Sequence, residues 1–196
     1  MDNRRSKENY YLDIAEAALE RSTCLRRQFG AIIVRDDEIV ATGYNGAPRG
    51  RRNCSDLGRC TRRELNIPAG ERYELCRSVH AEANAIISAA RRDMMGATLY
   101  LVGHDAVTGE HYPETTPCAM CRRLIINAGI SQVVCRTGRN EYTTTLVRDW
   151  VYHDDSIESY SAEKPSRPPR RALLSAARGG RGVFLLARPL RLCEHR

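Results

Sequence analysis

The spacing of apolar residues predicts alternating helices and strands along most of this chain. Over Glu8–Ser22, apolar side chains recur at intervals of three and four, as on one face of an amphipathic helix. Phe29–Val34 and Glu38–Thr42 are rich in β-formers and are separated by a short charged segment, which predicts an antiparallel hairpin. Gly43–Gly50 contains three glycines and a proline and is expected to be a loop.

The next elements predict a strand, a helix and a second strand in succession. Ala81–Arg92 is rich in Ala and Ile and is expected to form one helix, with His80 at its N-terminus. Ala97–Val102 and Ser131–Cys135 have strand-like composition, and Cys118–Ala128 predicts a helix closed by a glycine. Because a helix that joins two strands usually forms a parallel crossover, we expect an α/β domain.

Composition divides the chain into two parts. Residues 161–196 hold nine Arg or Lys and two acids, whereas residues 1–160 hold 22 basic and 22 acidic residues. We therefore expect one folded domain over 1–160 and an exposed, disordered tail rich in Arg, Pro and Gly over 161–196. The neutral body argues against a surface for phosphate backbones. Leucines in the tail leave a weak contact with nucleic acid, a partner or a membrane surface open.

The eight cysteines do not indicate a secreted disulfide framework. The segment Met1–Tyr10 is polar and charged and does not resemble a signal peptide, so we expect a reduced, cytoplasmic protein. No apolar stretch approaches the roughly 20 residues that a membrane-spanning helix needs. We therefore expect no membrane-spanning segment.

Candidate chemistry is concentrated in two short motifs, His80-x-Glu82 and Pro117-Cys-x-x-Cys121. Together they match the pattern of zinc-dependent nucleobase deaminases. His80, Cys118 and Cys121 would hold zinc and leave the fourth position for water, while Glu82 would act as the catalytic proton carrier. A purely structural zinc knot normally has four protein ligands, so the motif favours catalysis.

Three segments around these motifs, residues 43–50, 80–86 and 117–130, resemble the deoxycytidylate (dCMP) deaminase family of the cytidine deaminase-like superfamily. The resemblance covers roughly residues 9 to 157. It implies a three-layer α/β/α fold with a mixed sheet of about five strands. It also implies hydrolysis of dCMP to dUMP and ammonia in pyrimidine deoxynucleotide metabolism, by a homo-oligomer.

The same resemblance suggests contacts with the substrate. It places Asn45 at the sugar and Arg91 at the phosphate. The structural alternatives are that Asn45 holds a tight turn and that Arg91 is an ordinary surface residue of its helix. Some family members bind dCTP as an activator and dTTP as an inhibitor, and Arg49 is the candidate contact for such an effector.

Cysteines outside the catalytic motif predict a second, structural zinc ion. They are Cys24, Cys54, Cys60 and Cys76. The first two match positions where some family members place zinc ligands, but those members use histidines for the other two. Such a site would hold together the polar segment 51–78, which has little core of its own. Free or buried thiols are the alternative, and Cys135 is expected in the core.

The segment His104–Thr116 departs from the family pattern, which more often leads straight to Pro117. We expect a projecting hairpin or lid beside the mouth of the site, with His104 and His111 as solvated loop histidines rather than ligands. This insertion leaves the substrate open: another free cytosine nucleoside or nucleotide, or a base in tRNA or single-stranded DNA. Few Phe and Trp residues and a neutral body disfavour the polynucleotide. Glu82 disfavours the other alternative, a non-enzymatic zinc-binding module.

Overall fold

The computed structural model describes residues 4–68 and 70–153, and these form a five-stranded mixed sheet with helices on both faces. The strand order is β2-β1-β3-β4-β5. The strands are β1 (Arg27–Arg35), β2 (Glu38–Tyr44), β3 (Thr98–Asp105), β4 (Gln132–Arg136) and β5 (Tyr142–Leu146). The helices are α1 (Lys7–Leu19), α2 (Cys54–Leu57), α3 (Thr61–Glu64), α4 (Ala81–Ile87), α5 (Arg91–Met94), α6 (Ala119–Ala128) and α7 (Val147–Tyr152), with a 3-10 turn at Tyr73–Leu75. The predicted tail 161–196 lies outside the described residues.

The pairing of the strands confirms the predicted hairpin and crossover. Strands β1 and β2 are antiparallel, and Asp36 and Asp37 turn between them with positive φ, as a tight hairpin turn requires. Strands β3 and β4 are parallel and are joined through α6, which ends at Gly129 in the left-handed conformation. Strand β3 also pairs antiparallel with β1, which places β1 and β3 at the centre of the sheet.

Side chains alternate between the two faces of the central strands, and each face packs against helices. On one face, Ile32 of β1 and Val102 of β3 contact Leu12 of α1. On the other face, Ile33 and Leu101 pack with residues of α4, α6 and α7. This arrangement is the three-layer α/β/α architecture implied by the resemblance. Cys135 lies in the second of these cores, as expected.

The prediction of one helix over Ala81–Arg92 is wrong. Helix α4 ends at Ile87, and Ala90 has extended backbone angles before α5 begins at Arg91. Arg91 therefore does not lie on the helix that carries Glu82. The Ala-rich sequence contains no proline or glycine that would have marked this break.

The insertion forms a hairpin arm, as predicted, but its histidines are not solvated. Strand β3 continues to Asp105, and the chain returns so that His111 pairs with His104 in an antiparallel bridge. The side chains of His104 and His111 are only 14% and 22% exposed. The expectation of solvated loop histidines is therefore wrong, because the arm folds back against α1.

No helix within residues 4–68 and 70–153 combines the length and the apolar composition needed to cross a membrane.

Candidate metal and active site

Helices α4 and α6 lie side by side on one face of the sheet and begin next to each other. His80 precedes α4, and Glu82 is its second residue. Cys118 precedes α6, and Cys121 follows in its first turn. The two sequence motifs, which are almost 40 residues apart, therefore meet at a single point.

The three candidate ligands have a geometry that suits zinc. His80 Nδ1 lies 3.4 Å from Cys118 Sγ and 3.5 Å from Cys121 Sγ. All three ligand atoms lie within 4.8 Å of one another. In a tetrahedral zinc site with one nitrogen and two sulphur ligands, the nitrogen and each sulphur are roughly 3.6 Å apart. The residues present therefore fit a zinc ion with little movement.

The protonation state of Cys118 favours metal binding, whereas the hydrogen bond to Cys118 and burial raise the pKa of Cys121. The hydrogen bond from the Cys121 thiol, together with that from His80, lowers the pKa of Cys118 despite burial. The amide of Cys121, in the first turn of α6, adds a further hydrogen bond to the Cys118 sulphur. A thiolate is the form of cysteine that binds metal, so Cys118 is already in its ligating state at neutral pH.

Glu82 is buried at the floor of the site, with 5% of its surface exposed. Burial raises the pKa of its carboxyl group, and the neighbouring His80 opposes that shift. Its side chain also contacts Cys121. A carboxyl group whose pKa is raised holds a proton more readily than a free one, which suits a role in carrying protons.

These residues open into a cavity of about 700 Å³, a size typical of small-molecule sites. Five arginines line it: Arg26, Arg27, Arg62, Arg122 and Arg123. The acids in its lining are Glu82 and Glu114. A cavity with this excess of positive charge suits an anionic ligand.

Four of these arginines are already held by backbone carbonyl groups. Arg26 donates to Ile67, Arg62 to Pro68 and Glu71, Arg122 to Pro117, and Arg123 to Ala119. The Arg27 guanidinium instead stacks over the Tyr112 ring at 4.0 Å and donates no hydrogen bond to residues 4–68 or 70–153. Arg27 is therefore free to donate to an anion in the cavity.

Asn45 lines the cavity, but much of its hydrogen-bonding capacity serves the fold. Its Oδ1 accepts from the Phe29 amide at 2.8 Å and from Ser22 Oγ at 2.6 Å. Its Nδ2 donates to the Arg27 carbonyl at 2.8 Å. One hydrogen of the Asn45 amide remains for a ligand, so its contact with the sugar stays a prediction. Its other hydrogen bonds give Asn45 a structural role in holding this part of the chain.

The other two predicted contacts lie away from this cavity lining. Arg91 is exposed on α5 and donates to the Asn127 carbonyl at 3.0 Å. Arg49 is exposed in the loop after β2. Neither is among the residues that line the cavity. The phosphate contact of Arg91 and the effector contact of Arg49 therefore stay predictions that this cavity does not support.

The four cysteines predicted to bind a second zinc ion lie near one another, but their sulphur atoms are not arranged as closely as metal ligands. Burial raises the pKa of Cys54, and the charges of Cys24, Cys60 and Cys76 add to this shift. Three of the four also line the cavity. Within residues 4–68 and 70–153, two groups of at least three candidate ligand atoms lie within 4.8 Å of one another, and neither contains these cysteines.

Sequence reasoning missed three cavity residues. Tyr73 contacts the His80 ring at 5.1 Å, and Arg62 stacks on Tyr73 at 4.7 Å. Tyr112 contributes the surface on which Arg27 stacks. None of them has a sequence signal, because the position of each at the cavity depends on the fold: Arg62 lies in the short helix α3, Tyr73 in a 3-10 turn and Tyr112 in the hairpin arm.

Comparison with known proteins identifies the family of this site. The family described as "Cytidine and deoxycytidylate deaminase zinc-binding region" matches residues 5–137. A deoxycytidylate deaminase of Mycobacterium phage D29 is 42% identical over 65% of this chain and 91% of its own length. A deoxycytidylate deaminase of Schizosaccharomyces pombe is 35% identical over 74% of this chain and 42% of its own length.

This chain matches only part of the length of two yeast relatives. This chain spans 42% of the S. pombe protein and 38% of a Saccharomyces cerevisiae deoxycytidylate deaminase, so it covers less than half of each. Among solved structures, the apo dCMP deaminase of cyanophage S-TIM5 is 29% identical with a TM-score of 0.46. That alignment covers 66% of this chain and 81% of the phage chain.

Proposed function

Because this chain belongs to the family of cytidine and deoxycytidylate deaminases with a zinc-binding region, we propose that it hydrolyses dCMP to dUMP and ammonia. The observation that carries this proposal is the convergence of His80, Cys118 and Cys121 with buried Glu82 at the floor of an arginine-lined cavity. The identity of 42% to a phage deoxycytidylate deaminase over nearly its full length supports the same substrate.

We assign the roles as follows. His80, Cys118 and Cys121 would hold zinc, which supplies the Lewis acidity that makes a water molecule nucleophilic at neutral pH. The Glu82 carboxylate takes a proton from the attacking water and delivers it to the adjacent ring nitrogen of cytosine. A second proton, from the hydroxyl group newly formed on the ring carbon, passes through Glu82 to the departing amine. Ammonia leaves, and the ring carbon keeps the oxygen as a carbonyl.

Arg27 is our candidate for the contact with the substrate phosphate. Its guanidinium faces the cavity without a hydrogen-bond acceptor among the described residues, and stacking on Tyr112 fixes its plane. A planar guanidinium can bind two phosphate oxygens at once. Arg27 thus takes the role that the resemblance suggested for Arg91.

Replacing Arg27 tests both the substrate class and this contact. In Arg27→Gln, we expect KM for dCMP to rise at least about tenfold, because the charge-assisted hydrogen bonds to phosphate are lost. Deoxycytidine, which has no phosphate, should be turned over equally by the variant and the wild type. Ammonia release from dCMP, deoxycytidine, dCTP and a cytosine-containing oligonucleotide measures the preference.

The matched control is Arg92→Gln, since Arg92 is exposed and outside the cavity. It should have wild-type KM. An equal loss of activity toward dCMP and deoxycytidine in Arg27→Gln would show that Arg27 does not read the phosphate. Preference for the oligonucleotide over dCMP would contradict the proposed function itself.

We also propose that Cys24, Cys54, Cys60 and Cys76 bind a second zinc ion. Their proximity supports this, because the charges of the other three contribute to the pKa of Cys54. Four thiolates are a common structural zinc set, and binding would draw the sulphur atoms together. The segment between α2 and α4, which contains two of them, has only short helical turns of its own.

Removing one of these ligands should change the zinc content. We expect Cys54→Ser to bind about one zinc ion fewer per chain and to melt at a lower temperature, because a structural zinc contributes directly to folding. Metal analysis of the purified protein measures the content. Cys135→Ser is the control for zinc content, since that thiol is buried in the core and is not a candidate zinc ligand. Equal zinc content in Cys54→Ser and wild type would contradict a second site.

Assembly into a homo-oligomer and a cytoplasmic location stay predictions. Exposed apolar side chains on adjacent helices support the first, including Ile87 at the end of α4 and Met120 and Leu124 on α6. Such residues are typical of surfaces buried between subunits.

A further inference from the structure

A second group of metal-ligating side chains lies outside the cavity. It consists of Glu16 of α1, His104 of β3 and His111 of the hairpin arm. His104 Nε2 lies 2.9 Å from His111 Nδ1 and 3.1 Å from Glu16 Oε1. His111 Nε2 lies 3.9 Å from the same Glu16 oxygen. We call this group the arm cluster.

The arm cluster is partly buried, and backbone hydrogen bonds hold its two histidines in position. The side chains of Glu16, His104 and His111 are 30%, 14% and 22% exposed. Backbone hydrogen bonds hold the two histidines opposite each other, from the Asp105 amide to Glu110 and from the Tyr112 amide to Gly103. Because the sheet register sets the separation of the rings, little ordering remains to be done when a ligand binds.

The carboxylate of Glu16 is oriented by a buried arginine. Arg136 of β4, 2% exposed, pairs with Glu16 Oε2 and with Asp13. Asp13 also pairs with Arg5, so two carboxylates balance two guanidinium groups. Glu16 Oε1 faces the imidazoles instead. The arrangement resembles a ligand carboxylate held in place by an outer hydrogen bond.

The environment of His104 favours the form that binds metal. Burial lowers the pKa of His104, although Glu16 opposes that shift. A lowered pKa favours the neutral imidazole, whose nitrogen coordinates metal. The His104–His111 hydrogen bond itself requires at least one nitrogen with a free lone pair.

The distances between the ligand atoms of the arm cluster are close to those found around a tetrahedral metal ion. Nitrogen and oxygen ligands of a tetrahedral zinc ion lie roughly 3.3 Å apart. The closest separations in the arm cluster, 2.9 and 3.1 Å, are within a few tenths of an ångström of that value. Two imidazoles and one carboxylate are a set that binds divalent zinc, cobalt, nickel and iron.

We propose that Glu16, His104 and His111 bind a divalent transition-metal ion at a site separate from the deaminase centre. The ion replaces the hydrogen bonds within the arm cluster and joins α1, β3 and the returning strand of the arm. The next residue, Tyr112, lines the cavity beneath Arg27. Metal binding would therefore hold in place one side of the substrate site.

Cobalt binding tests this site directly. The full-length protein receives only enough Zn²⁺ to fill its cysteine-containing sites, because thiolate ligands hold zinc more tightly and the arm cluster must stay free for cobalt. It is then dialysed against Co²⁺, bound zinc and cobalt are counted by metal analysis, and the cobalt is followed by visible absorption. We expect one additional Co²⁺ per chain with the weak d–d bands of nitrogen and oxygen ligands. Sulphur-to-cobalt charge-transfer absorption should be absent, which shows that the cysteine ligands have kept their zinc.

Variants locate the ion. His104→Gln and His111→Gln should each weaken binding of the additional Co²⁺ at least about tenfold, by analogy with the losses seen at tuned metal sites. His153→Gln is the matched control, because His153 is exposed at the end of α7 and its ring, within residues 4–68 and 70–153, hydrogen-bonds only to the Asp149 carbonyl. It should bind cobalt as the wild type does.

The proposal fails if zinc-loaded wild type takes up no additional cobalt, or if His104→Gln and His111→Gln retain it fully. In either case the arm cluster is a hydrogen-bonded group only. Circular dichroism of each zinc-loaded variant before cobalt is added shows whether it is folded. Should His104→Gln not fold, Glu16→Gln replaces it, because the amide still accepts from Arg136. None of these measurements depends on dCMP turnover, so they are independent of the proposed activity.

Discussion

Glu82→Gln should abolish turnover while the protein keeps its zinc. Glutamine has nearly the shape of glutamate and can still fill the buried position beside Cys121. Its amide cannot accept a proton from water and pass it to the base. General acid–base groups typically contribute between about 10² and 10⁴ in rate, and Glu82 serves two proton transfers, so we expect a loss of about 10³-fold or more in kcat. Ammonia release from dCMP and zinc content are measured on the same preparation.

Glu114→Gln is the matched control, because Glu114 is the other acid that lines the cavity and lies at its exposed rim. We expect it to retain most of the wild-type kcat. Near-normal turnover in Glu82→Gln would remove Glu82 from the mechanism. Loss of zinc together with activity would instead mean that Glu82 supports the metal rather than the proton transfers.

Gly43→Ala should strongly impair both folding and turnover. A methyl group on Gly43 of β2 would overlap the Ala81 carbonyl oxygen and lie 2.5 Å from the Ala85 nitrogen. Both are backbone atoms of α4, so no side-chain rotation relieves the contact. The helix would have to move away from the sheet, and it carries His80 and Glu82 at its start. We expect destabilisation of about 3 kcal/mol, at the upper end for overpacking.

The displacement of α4 should also reduce kcat by about 10²-fold, since an error of about 1 Å in a catalytic group costs that much. Thermal denaturation and ammonia release measure the two effects. Gly138→Ala is the control: its methyl group would lie 3.3 Å from Glu141 Oε2, at the movable tip of a side chain. Equal melting temperatures for Gly43→Ala and wild type would show that the sheet and α4 are not closely packed there.

The elements that the sequence predicted correctly are those set by local patterns. The first helix, the β1–β2 hairpin and the α6 crossover are each marked by a hydrophobic periodicity or a turn residue. Few other local structures are compatible with these patterns. The break between α4 and α5 was missed because the Ala-rich run 81–92 has high helix propensity throughout. Tertiary packing overrode that propensity at Ser88–Ala90.

The same distinction applies to the candidate site. The candidate zinc ligands and the candidate proton carrier could be named from sequence because this chemistry requires fixed residue types at short spacings. The substrate contacts could not. Arg27 and Tyr112 are 85 positions apart and meet only because β1 pairs with β3 and the arm follows β3. Arg91, which the resemblance suggested for the phosphate, lies on the separate helix α5 outside the cavity lining.

The sequence by itself therefore predicted an α/β domain with a parallel crossover, together with the candidate metal-binding motif and its candidate proton carrier. These predictions follow from interactions within one element or from residue types that one reaction demands, whereas the three-layer α/β/α class was implied by the family resemblance. Only the tertiary structure decided which arginine faces the cavity unpaired, how near the four cysteines lie, and that Glu16 meets His104 and His111. Contacts between residues distant in the chain are created by strand register and helix packing, and no local pattern records them.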